Sequence, residues 1–104
     1  AYAASKAGLV GLTQVIAAEY GPRGLRANAL LPGGTDTPMG NDVSMYQVLQ
    51  DHPQYIHSFS PGALPTDSLI KPDQISDIVV WLASDASSLV TAAQIPADKG
   101  YLKI

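Results

Sequence analysis

Tyr2-Ala3-Ala4-Ser5-Lys6-Ala7-Gly8-Leu9 opens a stretch, residues 1–20, that contains no proline and is rich in alanine. Alanine is the strongest helix former, so this stretch predicts one helix. Leu9, Leu12, Ile16 and Tyr20 recur at three- and four-residue steps, the spacing of one helical face. Ala7, Val10 and Ala18 with Gly8 and Gly11 fill neighbouring faces, and a helix apolar on several faces is usually covered on several sides. Gly21-Pro22 predicts its end. On this helix Tyr2 and Lys6 stand four residues apart, one above the other. A phenol ionises near pH 10 and alone is a poor acid or base at neutral pH. An ammonium one turn away favours the phenolate, so such a pair can exchange a proton with a carbonyl or alcohol oxygen. The spacing by itself is common on solvated helix faces and decides nothing without its surroundings.

Downstream, residues 25–31 read Leu-Arg-Ala-Asn-Ala-Leu-Leu, nearly continuous in apolar character, as in a parallel strand covered on both faces. Pro32-Gly33-Gly34 closes it. Residues 35–70 are weakly patterned and rich in Pro, Ser, Asp and Gly, with one short helix expected over 43–50. An insert of that length in a compact domain is more often functional than decorative, and we expect residues 40–70 to form a substrate-side insert and lid. Pro72 and Asp73 then suit a helix start. Ile75, Ile78, Val79 and Leu82 form its apolar stripe, and residues 92–97 predict a last strand. Pro96 within it predicts an edge position or a short strand. Helix, strand, insert, helix, strand is the tail of an α/β alternation on a parallel sheet.

Composition narrows the function. The 104 residues suffice for one small domain, with 46% apolar and 14% charged residues and a net charge of −3. Its six cations form no stripe that could track a phosphate backbone, so nucleic acid is not an expected partner. The longest strictly apolar run, residues 78–83, is far below the roughly 20 residues that cross a bilayer. Cysteine is absent, which excludes disulfides and thiolate metal sites and leaves the compartment open, with the reducing cytosol favoured. His52 and His57 are five apart, the wrong spacing for one helical face, and no metal is expected. Trp81 reads as core or interface packing.

Four segments together resemble the short-chain dehydrogenase/reductase family. Residues 2–9 match its active-site helix. Arg26-Ala27-Asn28-Ala29 with Pro32-Gly33, then Thr35-Asp36-Thr37-Pro38-Met39, match the strand and loop that follow, and residues 78–87 resemble its last long helix. Order and spacing agree over nearly the whole chain, most weakly over 40–70. The resemblance implies the C-terminal catalytic part of a single doubly wound, Rossmann-like domain whose dinucleotide-binding half lies upstream. It implies NAD or NADP as cofactor and hydride transfer between nicotinamide and a small-molecule carbonyl or secondary alcohol. It makes Tyr2 the acid/base and has Lys6 favour the phenolate and bind the nicotinamide ribose. It puts Thr35 backbone groups on the carboxamide and the Thr37 hydroxyl near the cofactor, with Pro32 and Gly33 shaping the loop. That loop leaves its strand with little side-chain bulk, so backbone amides can approach a ligand, although the same residues would serve an ordinary turn.

The family's catalytic serine and relay asparagine lie upstream, so neither Ser5 nor Asn28 is one of them. Asn28 reads as a structural residue at the strand end. Two departures stand out: Ala92 replaces the glycine that commonly follows Thr91, and Lys99 replaces the first glycine of an Asp-Gly-Gly ending. They bear on the last strand and its subunit contact. No Gly-x-Gly-x-x-Gly follows any strand here, so the 104 residues alone are expected to be inactive. A complete enzyme of this family is expected to be a homo-oligomer, a dimer or tetramer. The alternative is a non-catalytic module that associates through its first helix.

Overall fold

The computed structural model describes residues 1–39, 41–54, 64 and 69–101. Fourteen of the 31 residues of the 40–70 insert, including His57, lie outside them. The order is α1 (Tyr2–Tyr20), β1 (Ala29–Pro32), α2 (Val43–Asp51), α3 (Pro72–Ala83) and β2 (Gln94–Ala97), with 3-10 turns at Gly21–Arg23 and Asp85–Ser87. β1 and β2 pair in parallel, Ala29 opposite Gln94 through Pro32 opposite Ala97. This is the expected alternation, with the chain crossing from β1 to β2 through the insert and α3.

α1 ends where expected, and both strands start later than expected. α1 stops at Tyr20; its cap residue, Gly21, keeps right-handed helical angles (φ −52°) and the chain tightens into a 3-10 turn. Pro22 fits there because its fixed φ suits a first helical position. The left-handed residue is Gly24, φ 84°, whose N–H donates to the Gly21 carbonyl. β1 begins at Ala29, not at residue 25. Ala27 and Asn28 are occupied by the loop before β2: the Ala27 N–H donates to Thr91 Oγ1 and the Ala92 N–H to the Ala27 carbonyl at 2.7 Å. β2 likewise begins at Gln94, because Ala92 takes a left-handed φ of 56° that no strand continues through.

β1 ends at Pro32, where the Pro32-Gly33-Gly34 close predicts, and Pro96 lies inside β2. Ala29 and Gly33 donate to the Ala93 and Ala97 carbonyls. Alternation then turns the nitrogens of Pro32 and Pro96 away from the pairing, where a missing N–H costs no ladder bond. Pro96 thus occupies the short, edge-type strand expected.

The face of α1 that meets β1 also differs from the sequence pattern. Val10, Thr13, Ile16 and Ala17 are the less exposed positions, with Ala17 buried, while Leu12, Val15 and Tyr20 stand largely in the open. Apolar residues surround this helix, so sequence could not say which side the strand would take. Among the described residues the buried apolar positions are Ala17 and Ile70, and Trp81 is 43% exposed, so within this chain it is not core.

Candidate functional site

Tyr2, Lys6, Leu9, Val10 and Thr13 lie along one side of α1 because their spacing keeps them in register with the helical repeat. That side faces β1 and the loop after it across an open groove of about 650 Å³. Its opposite wall includes Leu31, Pro32, Gly33, Thr35, Thr37 and Met39. The structure therefore brings Tyr2, Lys6, Pro32, Gly33, Thr35 and Thr37, the six residues singled out from sequence, to the borders of one groove. The Lys6 ammonium sits over the Tyr2 ring, 5.4 Å from its centroid, a cation–π distance. Tyr2 is 67% exposed, so its hydroxyl is reachable from the groove.

The loop's course is fixed by two close approaches. A side chain on Gly33 would place its Cβ 2.9 Å from Asp98 Cα and 3.0 Å from Asp98 Cβ, closer than any real Cβ sits. Gly33 is thus required where β1 ends against the turn that follows β2. Asp98 is buried and its Oδ1 accepts the Gly100 N–H at 2.9 Å. Beyond Gly33 the chain makes an isolated parallel bridge, Thr35 to Ile70. The Ile70 N–H donates to the Gly34 carbonyl and the Asp36 N–H to the Ile70 carbonyl, each at 2.9 Å. Those bonds bracket Thr35, so its own N–H and C=O point to the other side. Its hydroxyl donates to the Gly33 carbonyl at 2.9 Å, and the Thr37 hydroxyl to the Thr35 carbonyl at 3.4 Å.

α2 follows, capped by Asp42, whose Oδ1 accepts the Ser44 N–H at 2.8 Å. That bond stabilises the charged form and holds the Asp42 carboxyl below its ordinary value. Among the described residues no three His, Cys, Asp or Glu side chains gather as a metal site, and no helix is long and apolar enough to cross a membrane.

One residue escaped the sequence reading. Arg26 spans the end of α3: its Nη2 donates to the Leu82 carbonyl at 2.7 Å and the Ser84 carbonyl at 3.3 Å. Its Nη1 donates to the Val90 carbonyl at 3.1 Å and Ser87 Oγ at 3.2 Å. A helix C-terminus leaves carbonyls unpaired and carries partial negative charge, and the guanidinium answers both. Asn28 has the structural role expected of it. Its Nδ2 donates to the Val90 carbonyl at 2.9 Å and its Oδ1 accepts the Ala93 N–H at 3.1 Å. The two departures from the family's glycines fall on left-handed residues, Ala92 at φ 56° and Lys99 at φ 57°. Both turns persist without glycine.

Comparison with known proteins places this arrangement. A family model described as enoyl-(acyl carrier protein) reductase, of the short-chain dehydrogenase type, matches residues 1–102. An uncharacterised NAD-dependent oxidoreductase of Mycobacterium tuberculosis is 49% identical over 102 residues, 98% of this chain and 37% of that protein. The oxidoreductase UcpA of Salmonella typhimurium is 39% identical over 100 residues, 96% of this chain and 38% of that protein. A crystal structure of a short-chain dehydrogenase from Mycobacterium paratuberculosis bound to NAD superposes with a TM-score of 0.88 at 42% identity, covering 99% of this chain and 38% of that one. The chain belongs to the short-chain dehydrogenase/reductase family, and its α/β fold is part of a Rossmann-type domain. It spans less than two-fifths of the length of these relatives.

Proposed function

We propose that this segment forms the proton-transfer side of an NAD(P)-dependent oxidoreductase acting on a small-molecule carbonyl or secondary alcohol. The carrying observation is the convergence of Tyr2, Lys6 and the 32–37 loop on one groove. The groove's donor set fits the nicotinamide end of a dinucleotide. Thr35 turns a backbone N–H away from its bridge to Ile70, the type of donor a carboxamide oxygen accepts from. Lys6 offers N–H donors to a ribose hydroxyl, and Leu9, Val10 and Leu31 offer apolar surface to a flat ring. The NAD-dependent relative and the NAD-bound neighbour support the same cofactor class.

When bound, the nicotinamide supplies or accepts the hydride at the carbonyl or carbinol carbon. In reduction the Tyr2 hydroxyl donates its proton to the carbonyl oxygen as the C=O bond becomes C–O–H, and in oxidation the phenolate takes that proton back. Lys6 sets a positive charge beside the ring on which negative charge develops. Residues 40–70 are proposed as the substrate-side insert within one domain. Leu12 and Val15, half exposed on α1, support assembly of copies through that helix. The 104 residues by themselves are proposed to be inactive, because a two-stranded sheet leaves the apolar sides of α1 and α3 open to water. The oxidoreductase names of the relatives favour the enzyme over the association module.

The test is Tyr2→Phe in the full-length protein that carries this segment. Turnover should fall roughly a hundred- to ten-thousand-fold, the usual contribution of a positioned acid/base. NADH affinity, read by fluorescence titration, should change little. Near-normal turnover would remove Tyr2 from the reaction.

A further inference from the structure

Ile70 stands between exposed Leu69 and Lys71 and is itself buried, at 6% exposure. Its tip carbon, Cδ1, lies 3.4 Å from the position that a Cβ on Gly33 would take, so it rests against the Gly33 backbone. The same side chain borders a small cavity of about 150 Å³ with Ile75 and Ile78 of α3 and Ala97 at the end of β2. It therefore fills the angle between the loop after β1 and the start of α3. Ile70 directly precedes Lys71, the cap residue of α3, whose N–H donates to Gln74 Oε1 at 3.0 Å. Ile75 is the fourth residue of that helix. An apolar residue just before the cap, packed on the fourth helical residue, fixes the angle at which the chain enters the helix.

The backbone of the same residue is spent on the loop. The Ile70 N–H donates to the Gly34 carbonyl and the Ile70 carbonyl accepts the Asp36 N–H, each at 2.9 Å. Those are the two peptide groups that flank Thr35, the partner of Ile70 in the parallel bridge. Thr35 lines the groove and keeps its own N–H on the side away from Ile70. The hydroxyl bonds from Thr35 to Gly33 and from Thr37 to Thr35 are internal to the loop and would travel with it. The Gly33 N–H, bonded to the Ala97 carbonyl at 3.1 Å, holds the root of the loop. Ile70 holds its middle, and it does so from α3, a helix that Arg26 fixes at its other end.

Resting on the reading of the groove as the nicotinamide site, we propose that Ile70 is a positioning residue for the cofactor: it braces the 33–36 turn against α3 and so holds the Thr35 N–H where the carboxamide oxygen accepts it. Ile70 touches no ligand and acts through Thr35. A donor already held in place loses little freedom when its ligand arrives, whereas a loose one must be ordered at that moment, and the affinity falls by that cost. Truncating the Ile70 side chain leaves its backbone groups in being but frees the depth at which they sit. The effect belongs to the nicotinamide end of the dinucleotide alone.

The experiment measures binding to the full-length protein by calorimetry, with NADH paired with ADP-ribose and NADPH paired with 2′-phospho-ADP-ribose. The second member of each pair lacks the nicotinamide, and the pair that binds is carried through the variants. Ile70→Ala should weaken the dinucleotide about three- to tenfold, the worth of one hydrogen bond, and leave the probe without the ring unchanged. Ile70→Val removes Cδ1, the atom against Gly33, and should give a smaller loss with the same selectivity. Leu82→Ala, half-buried near the far end of α3, should lower Tm and leave both affinities as they were. A lowered Tm in the Ile70 variants with the ratio of the two affinities unchanged makes Ile70 a packing residue and overturns the inference, as does an equal weakening of both probes. Where Ile70→Ala fails to fold, the ratio in Ile70→Val decides in the same way. Wild-type protein that binds the dinucleotide no more tightly than the probe without the ring, or binds neither, overturns the reading of the groove and the inference with it.

Discussion

The two ends of the segment that runs from Arg26 to Thr37 are built for different tasks. At its start, Arg26 and Asn28 reach residues more than fifty positions away and tie α3, the turn after it and the approach to β2 into one unit. At its end, the 33–37 loop is tied by its backbone to Ala97 and Ile70, makes two short-range hydroxyl bonds, and opens onto the groove with Tyr2 and Lys6. The first end holds shape and carries no reacting group. The second borders the groove of the proposed proton-transfer pair and has little that holds α1 against it: Tyr2 and Leu9 are more than half exposed. A substitution at the Arg26 end should therefore act on stability, and one at the groove end on turnover or ligand affinity.

The largest expected break in that division is at the scaffold end. Arg26→Ala in the full-length protein removes four donated hydrogen bonds and leaves the Leu82 and Val90 carbonyls without the guanidinium. Hydrogen bonds to a charged group contribute roughly 1.5–3 kcal/mol each and are not additive, so a loss of about 3 kcal/mol is expected. Urea unfolding measures it. Arg26→Lys should recover little, because an ammonium cannot span four acceptors as a planar fork does. A fall in kcat with unchanged stability would place Arg26 in the chemistry and erase the contrast.

Gly33→Ala tests where the two ends meet. Its methyl would press on the Asp98 backbone at 2.9 Å, which cannot swing away as a flexible side chain would. Overpacking of this kind costs about 1–3 kcal/mol. Because Gly33 also borders the groove, KM for the nicotinamide cofactor should rise along with the loss in Tm. A Tm loss alone would show that the strain stays on the β2 side.

The two turns flanking β2 sharpen the comparison in the opposite direction. Ala92 and Lys99 occupy left-handed angles where glycine is unstrained. Ala92→Gly and Lys99→Gly should each stabilise the full-length protein by about 0.5–1 kcal/mol, the relief of left-handed strain less the added chain entropy. Thermal unfolding reads the shift. The Lys99 carbonyl also accepts the Leu64 N–H at 3.0 Å, a backbone bond that a glycine there keeps.

What sequence could and could not show follows the same division. Tyr2 and Lys6 share a helical face through a four-residue step, and Pro32, Gly33, Thr35 and Thr37 follow a strand directly. Spacing alone nominated none of the six; their match to the family's motifs did, and the structure puts them on one groove. The bounds of both strands were not readable. Residues 25–28 look like strand, yet Arg26, Ala27 and Asn28 are taken by residues 82–93, a partner that no local pattern reveals. The inward face of α1 was hidden because apolar residues ring the helix. The left-handed angles at Ala92 and Lys99 left a different trace: each stands where the family commonly has glycine.

The smallest expected effect lies at the start of α2, at Asp42. Its carboxyl is lowered from the ordinary value by the hydrogen bond from the Ser44 N–H, so the folded state binds this proton less tightly than the unfolded chain does. The stability it gives α2 is therefore fully present above the ordinary carboxylate pKa, near 3.9, and is lost as pH falls through the lower folded value. Asp42 is fully exposed, so solvent screens its charge and the bond to the N–H carries the effect. Asp42→Asn keeps an N-cap acceptor and removes the charge. Hydrogen exchange of the α2 amides in the full-length protein should quicken in acid for the wild type, and should lose much of that dependence in Asp42→Asn. At neutral pH the two should differ slightly, with the amides of α3 unchanged in both. Equal acid fraying in wild type and variant would show that α2 is held by its apolar contacts and that the Asp42 cap contributes nothing measurable.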